Sequence, residues 1–252
     1  RVTRSFRSST LRQDIRLTSR SKRIDFVTDV DWHETHTLLK TAFPVDVHAP
    51  RATYDIQWGS IERPTHRNTS WDAARFEVCG HTWADLSDGG YGVALLNDCK
   101  YGYDIRDDTM RLSLIKSATM PDTGADQGRH EFTYALLPHE GDWRNGVEVE
   151  AATLNFPVRC TGGAAIAPPV ICDAPNVVLE TLKPADLGPG FILRLYEAHR
   201  MKGIVRLRVG GGVRSAHLCD LLEHSIAELP LQDQIVSLSL SPFQVATIHF
   251  RT

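Results

Sequence analysis

An all-β fold in two sandwich-like parts is what this sequence predicts, and three observations predict it. The first is strict alternation over 23–32. Ile24, Phe26, Thr28, Val30 and Trp32 fall on one face, with Arg23, Asp25, Asp29 and Asp31 among those on the other. The second is the same pattern again through Leu39, Thr41, Phe43, Val45 and Val47. A period of two sustained this long is the signature of half-buried antiparallel strands. The third is the stretch 159–175, small, rich in Pro and Gly and without period, which reads as a domain boundary.

The elements follow in order. Lys and Arg are enriched in the first 23 residues, but Leu11, Ile15 and Leu17 sit among them, so a solvated strand face is expected there. Pro44 requires its strand to be an edge or to carry a bulge. Further strands are expected at 53–58, 74–80, 91–96, 110–115 and 131–137, with a long loop at 117–128 that is rich in Pro, Asp, Gly and Thr. Val147, Ala151 and Leu154 fall at helical spacing and Pro157 follows, predicting a short helix that ends near Asn155. Beyond the boundary, strands are expected at 177–182, 190–196, 203–209, 235–240 and 245–250, with helical character around 217–224. The domains are thus expected at 1–165 and 175–252, with 166–174 as linker.

Composition sets the class. The 252 residues are 42% hydrophobic and 23% charged, ordinary for a globular protein with a real core. A net charge of −3 argues against a nucleic-acid binder working through bulk positive charge. No run of 18 apolar residues occurs and nothing resembles a signal peptide, so no membrane partner is expected. Five scattered cysteines without a C-x-x-C suit free thiols in a reducing compartment, and a cytoplasmic location is expected. The chain opens without an initiator Met, as a piece of something longer would.

Chemistry-bearing residues crowd into 54–103, where polar clusters at 63–68, 81–85 and 97–102 are expected in loops and at strand ends. His33 and His36 are three apart and follow a strand, unlike the i, i+4 pair on a helix that a metalloprotease needs, so a structural or solvated role is expected. The run Gly210-Gly211-Gly212 lacks the Lys-Ser/Thr of a phosphate loop and reads as a turn. Asn68-Thr69-Ser70 is a glycosylation sequon in form alone, and no Gly-x-Ser-x-Gly supports a nucleophilic serine. Arg63 and Arg67 are expected to pair with Glu62, Glu77 or Asp85. The cluster Asn97-Asp98-Cys99-Lys100-Tyr101-Gly102 combines an amide, a carboxylate, an ammonium and a phenol, the donors and acceptors that sugar hydroxyls require. Tyr101 and Trp83 offer aromatic faces for a pyranose. The alternative is that Asp98 pairs with Lys100 while Tyr101 caps the core. Cys99 is expected to be a packed, unreactive thiol.

Three runs carry a resemblance: Ile61-Glu62-Arg63-Pro64-Thr65-His66-Arg67-Asn68-Thr69-Ser70-Trp71, then Gly90-Tyr91-Gly92-Val93-Ala94-Leu95-Leu96-Asn97-Asp98-Cys99-Lys100-Tyr101-Gly102, then His130-Glu131-Phe132-Thr133-Tyr134-Ala135-Leu136-Leu137-Pro138-His139. Upstream, Asp31-Trp32-His33-Glu34 with Phe43-Pro44, and downstream Phe191-Ile192-Leu193-Arg194-Leu195-Tyr196-Glu197 with Ser241-Pro242-Phe243, fit the same pattern. Together they resemble the C-terminal half of glycoside hydrolase family 38 α-mannosidases, nearest the cytosolic/vacuolar and bacterial branch. The resemblance implies a large antiparallel supersandwich, galactose mutarotase-like, followed by a smaller terminal β-sandwich.

Members of that family cleave terminal α-mannosyl residues with retention, using zinc and a carboxylate nucleophile. Both belong to an N-terminal α/β domain that precedes a three-helix bundle. By that resemblance this chain holds no catalytic residue and no metal ligand; Zn2+ is expected only in the full-length parent, and the isolated chain is expected to be inactive. Its substrate-binding candidates are Asn97, Asp98, Lys100 and Tyr101, with Asp126 and Arg129 from a second loop. Its expected partners are the catalytic domain and helix bundle of the same polypeptide, a mannose-containing oligosaccharide and further copies of itself. A stand-alone carbohydrate-binding module and a purely structural sandwich are the rival readings.

Overall fold

A computed structural model of the chain describes residues 1–160, 162–163 and 167–252. The described residues fall into two units, Arg1–Gln57 with Ile61–Arg159, and Trp58–Ser60 with Cys160–Thr252. The boundary expected at 165–166 lies outside the described residues.

The first unit contains strands β1 (Val2–Phe6), β2 (Ser9–Leu17), β3 (Ile24–Trp32), β4 (Leu38–Pro44) and β5 (Arg51–Ile56), and β6 (Gly59–Pro64) from Ile61 onward. The one-turn helix α1 (Ser70–Ala73) precedes β7 (Val78–Cys79), β8 (Trp83–Ser87), β9 (Tyr91–Asn97), β10 (Gly102–Arg106), β11 (Thr109–Lys116) and β12 (Gly128–Glu140), and helix α2 (Val147–Asn155) follows. Eight strands form one sheet in the order β1-β2-β3-β12-β9-β8-β5-β6; four form a second, β4-β11-β10-β7. The alternation over 23–32 does what it predicts. Val30 and Trp32 are buried and Phe26 packs beside them, in a core shared with Tyr54, Leu95, Tyr103, Met110 and Leu112. Pro44 ends β4, an edge strand, where its missing N–H costs no ladder bond.

Helix α2 lies on the outer face of the larger sheet. Val147, Ala151 and Leu154 pack with Ala94, Leu96, Ala135 and Leu137, and Trp143 stacks on Trp83 at 5.1 Å. Glu148 and Glu150 occupy its first turn, where the helix dipole favours negative charge. Arg23 pins it to the sheet by donating to the Glu150 carbonyl at 2.8 Å and pairing with the Glu150 carboxylate at 3.1 Å.

The second unit contains β13 (Val170–Cys172), β14 (Val177–Pro184), β15 (Phe191–Glu197), β16 (Gly203–Val209), β17 (Ser215–Cys219), β18 (Ser225–Leu229), β19 (Leu231–Gln232), β20 (Ile235–Leu240) and β21 (Val245–Arg251). Sheets β13-β16-β20-β19 and β14-β15-β21-β17-β18 enclose a core that includes Leu195, Leu207, Ala216, Val236, Ile248 and Phe250.

Three expectations are corrected. The strand expected at 74–80 survives only as Val78–Cys79. The chain before it makes a helical turn capped by Thr69, whose Oγ1 accepts from the Asp72 N–H at 3.1 Å. The helical character expected around 217–224 is absent. Ala216 and Leu218 face the core from β17, and Asp220 holds the turn by accepting from the N–H groups of Leu222 and His224, both at 2.9 Å. The cluster 81–85 lies at a strand end as expected, with 81–82 in a bend, but the strand it opens, Trp83–Ser87, buried in mid-sheet, is not among those expected.

Candidate functional site

Strand β9 is buried over Gly92–Asn97 and leaves the larger sheet at Asn97; the chain re-enters the smaller sheet as β10 at Gly102. Residues 98–101 are therefore a crossing between layers. A crossing strands backbone groups that neither sheet pairs, and Asn97 takes them up. Its side chain is 0% exposed. Its Nδ2 donates to the His81 carbonyl at 2.8 Å and to the Tyr103 hydroxyl at 2.5 Å, while Oδ1 accepts from the Lys100 N–H at 2.6 Å. An amide is needed because the position must donate and accept at once. The Asn97 carbonyl accepts from Asn155 Nδ2 at 3.0 Å, and the same nitrogen donates to the Ala151 carbonyl within α2 at 2.9 Å.

Held this way, the crossing presents different groups in different directions. Asp98 continues the pairing with β12: its N–H donates to the Thr133 carbonyl at 3.1 Å and its Oδ2 accepts from the Thr133 N–H at 2.8 Å. The Lys100 ammonium stands 4.5 Å from the Phe132 ring centre. Tyr101 is 56% exposed, with its ring 5.4 Å from that of His81. Neither half of the alternative reading holds: Asp98 and Lys100 form no ion pair among the described residues, and Tyr101 caps nothing. Trp83 is 2% exposed against Trp143, so it has no face to offer a sugar. Cys99 is exposed rather than packed, and partial burial of its thiol, with the Asp98 carboxylate beside it, pushes its pKa up to about 11. It stays a protonated, unreactive thiol.

Of the second candidate pair, Arg129 lies on β12 and Asp126 in the turn before it. Arg129 bridges two carboxylates, with Nη2 at 2.6 Å from both Asp29 and Glu131, and hydrogen bonding to Asp29 raises its pKa further. Asp126 accepts from the Lys116 N–H at 3.1 Å, and its carbonyl lies 2.8 Å from His130 Nε2. A shallow depression of about 460 Å³ on the outer sheet face is lined by Asp98, Asp29, Glu131, Phe132, Thr133 and Arg12, among others. It brings Asp98 together with the carboxylates that Arg129 holds. Arg129 and Thr133 are four strand residues apart, about 13 Å. Of the six candidate residues Asp98 alone lines it; Asn97, Lys100, Tyr101, Asp126 and Arg129 do not. Carboxylates and a guanidinium around an open depression suit hydroxyl groups, which accept and donate in turn.

The sequence reading missed a buried polar pair that reaches across β9. His139 Nε2 lies 2.7 Å from Asp85 Oδ1, with both side chains almost wholly buried, and the Ser87 hydroxyl donates to Asp85 Oδ2 at 2.7 Å. Burial raises the Asp85 pKa. For His139 burial works downward, but the bond and charge of Asp85 prevail and the net shift is upward. Asp85 and His139 lie on the strands flanking β9, on the sheet face that α2 covers, in step with Trp83 and with Ala135 and Leu137. The expected partners of Arg63 and Arg67 are also corrected: Glu62 pairs with Arg51, Glu77 with Lys40 and Asp85 with His139. Arg63 stands over Tyr54 instead, 4.7 Å from the ring centre. Among the described residues, no three His, Cys, Asp or Glu side chains converge to hold a metal ion. No helix there is long and apolar enough to cross a membrane.

Residues 1–124 match the family model of the glycosyl hydrolases family 38 C-terminal domain, and residues 176–248 match that of the family 38 C-terminal beta sandwich domain. The chain is 46% identical over 252 residues to human alpha-mannosidase 2C1, an alignment that takes in 96% of this chain and 24% of that protein. It is 43% identical over 187 residues to alpha-mannosidase G of Dictyostelium discoideum, covering 71% of this chain and 17% of that one. Among solved structures, an alpha-mannosidase from Enterococcus faecalis superposes with a TM-score of 0.79 at 17% identity, over 96% of this chain and 29% of that one. The likeness to that structure is one of fold. The chain spans about a quarter of the length of the human relative and of its mouse counterpart, and less of the Dictyostelium one. On two family models and these relatives, the chain belongs to glycoside hydrolase family 38, as part of its C-terminal, β-rich region.

Proposed function

We propose that the parent polypeptide is a zinc-dependent retaining α-mannosidase and that this chain finishes one wall of its sugar pocket. Retention needs two carboxyl groups about 5 Å apart across the scissile bond, and the zinc needs a converging donor set. By likeness to the family, the metal and the nucleophile are assigned to the remainder of the enzyme. The role left to this chain is to orient sugar hydroxyls from the 97–102 crossing, with the 126–129 turn in support. What supports it most is the division of labour at the crossing. Asn97 is spent on internal hydrogen bonds, while Asp98 and Tyr101 are exposed on that fixed frame and Lys100 stands half-buried against the Phe132 ring. The three exposed free thiols, Cys79, Cys99 and Cys160, favour a reducing compartment, and we place the parent in the cytoplasm.

The test is kinetic. In the full-length enzyme acting on an aryl α-mannoside, Asp98→Ala and Lys100→Ala should each lower kcat/KM by about tenfold or more, near 1.4 kcal/mol of transition-state binding. The melting temperature should stay within about 2 °C. Unchanged kinetic constants in both variants would refute the role. The purified chain alone, supplied with zinc, should show no turnover. Calorimetry with mannose-containing oligosaccharides separates the rival reading, because micromolar binding by the chain alone would make it a carbohydrate-binding module.

A further inference from the structure

A second, smaller cleft lies in the first unit, lined by Arg63, Arg67, Arg75, Asp72, Glu77 and Asp104 among others, with Tyr54 and Tyr103 behind it. Every carboxylate in it already has cations. Asp104 lies 2.7 Å from Arg106, 3.4 Å from Arg111 and 3.5 Å from Lys40. Glu77 lies 2.9 Å from Lys40 and accepts from the Ser113 hydroxyl, and Asp72 is within 3.8 Å of both Arg75 and His66. Arg63 has none. Its Nη1 is buried and makes no hydrogen bond, and burial, with the like charge of Arg75 adding to it, draws its pKa below the ordinary guanidinium range. A buried guanidinium N–H left unpaired costs more than the 1–3 kcal/mol or so of a neutral group, so native proteins supply a partner. The open space is about 30 Å³, and a water-sized group needs about 10–15 Å³, so it admits about two. Two oxygens are what a carboxylate presents, and the guanidinium fork accepts them side by side.

The rim says what carries that carboxylate. Trp71 and Phe76, 79% and 70% exposed, stand on the same short segment as Arg67 and Arg75. Trp, Phe and Arg exposed together are the composition of an interface core, and large apolar groups bared this way ask for cover. About three quarters of the length of the human and mouse relatives lies outside the region matched here.

We infer that the segment 63–76 is a docking surface for another part of the same parent polypeptide, which buries Trp71 and Phe76 and inserts an Asp or Glu carboxylate against Arg63. The inference rests on the family reading for the existence of that remainder, but not on its activity. The pairing is charge-assisted and enclosed, and it joins the two parts through a rigid, bidentate contact instead of a screened surface ion pair.

Hydrogen exchange by mass spectrometry tests it, comparing this chain alone with the full-length parent. Protection of the 63–76 amides and of Trp71 from quenching by acrylamide should rise at least fivefold in the full-length protein. Arg63→Met in that protein should return both towards their values in the isolated chain, while Arg12→Met, on the opposite sheet face, should leave them unchanged. Equal exposure in the two proteins would overturn the inference. So would saturable binding of inorganic phosphate by the isolated chain that Arg63→Met abolishes, together with an uncovered Trp71 in the parent, since the cleft would then serve a free oxyanion. Hydrolysis of an aryl α-mannoside is measured on the same full-length sample. Turnover with an exposed Trp71 defeats the docking surface alone; a covered Trp71 without turnover defeats the enzyme assignment alone.

Discussion

Replacing Asn97 by Ala isolates the element on which the candidate sugar wall stands. The substitution deletes two donated bonds and one accepted bond, to the His81 carbonyl, the Tyr103 hydroxyl and the Lys100 N–H. Tyr103 keeps a weaker outlet, since its hydroxyl lies 3.3 Å from the Leu95 carbonyl. The His81 carbonyl and the Lys100 N–H lose the side chain that satisfies them. At about 1–1.5 kcal/mol for each bond of this kind, the loss comes to about 3–4 kcal/mol. For a unit of roughly this size that is about 8–12 °C in melting temperature. The assay is urea denaturation of the chain, followed by tryptophan fluorescence of the first unit, with the midpoint moving and the slope preserved. Asn97→Asp should be at least as damaging, because a carboxylate cannot donate to His81. A loss below about 1 kcal/mol for Asn97→Ala would refute the claim that this amide carries the crossing. The frame for Asp98 and Lys100 would then have to come from elsewhere.

The Asp85–His139 pair makes stability depend on pH in a defined sense. Both pKa values are raised in the folded chain, so the fold binds more protons than the unfolded chain and loses stability as pH rises through those folded values. For His139 the contribution is fully present below about pH 6.5 and fades above it; His139→Gln should flatten the melting-temperature profile between pH 6 and 9, and a profile parallel to the parent's would disprove the assignment. Gly190 has φ of 114°, and a Cβ there would sit 2.0 Å from the Phe250 carbonyl oxygen. Gly190→Ala should therefore cost the second unit more than about 3 kcal/mol or leave it unfolded, read as loss of its cooperative transition; a melting curve like the parent's would contradict the geometry.

Much of the architecture was legible because period-two alternation survives wherever one strand face meets the core. That is why 24–32, 203–209 and 235–240 were found almost to the residue. Where both faces are covered, alternation vanishes, and β8 was missed for that reason. Trp83 packs under α2 and Ala84 in the opposite core, while Asp85 is buried with a partner 54 positions away. The turn at 220–223 misled because charged residues on a short hairpin fall at helix-like intervals. Within the site, composition identified the 97–102 cluster but could not tell its roles apart. Asn97 and Asp98 are adjacent polar residues in the sequence, and only the crossing between sheets makes one a buried brace and the other an outward group.

Strand β12 lies between β3 and β9, so residues 128–140 complete a sheet whose other members begin as early as Val2. Until it arrives, β3 and β9 each present an unpaired edge, the kind that recruits strands from neighbouring molecules. Emerging from the ribosome, the first unit is thus exposed to misassociation for most of its synthesis and closes late, through distant pairings that form slowly. Chaperone demand should concentrate in that interval, and shortened products ending before residue 128 should be found in aggregates rather than in solution.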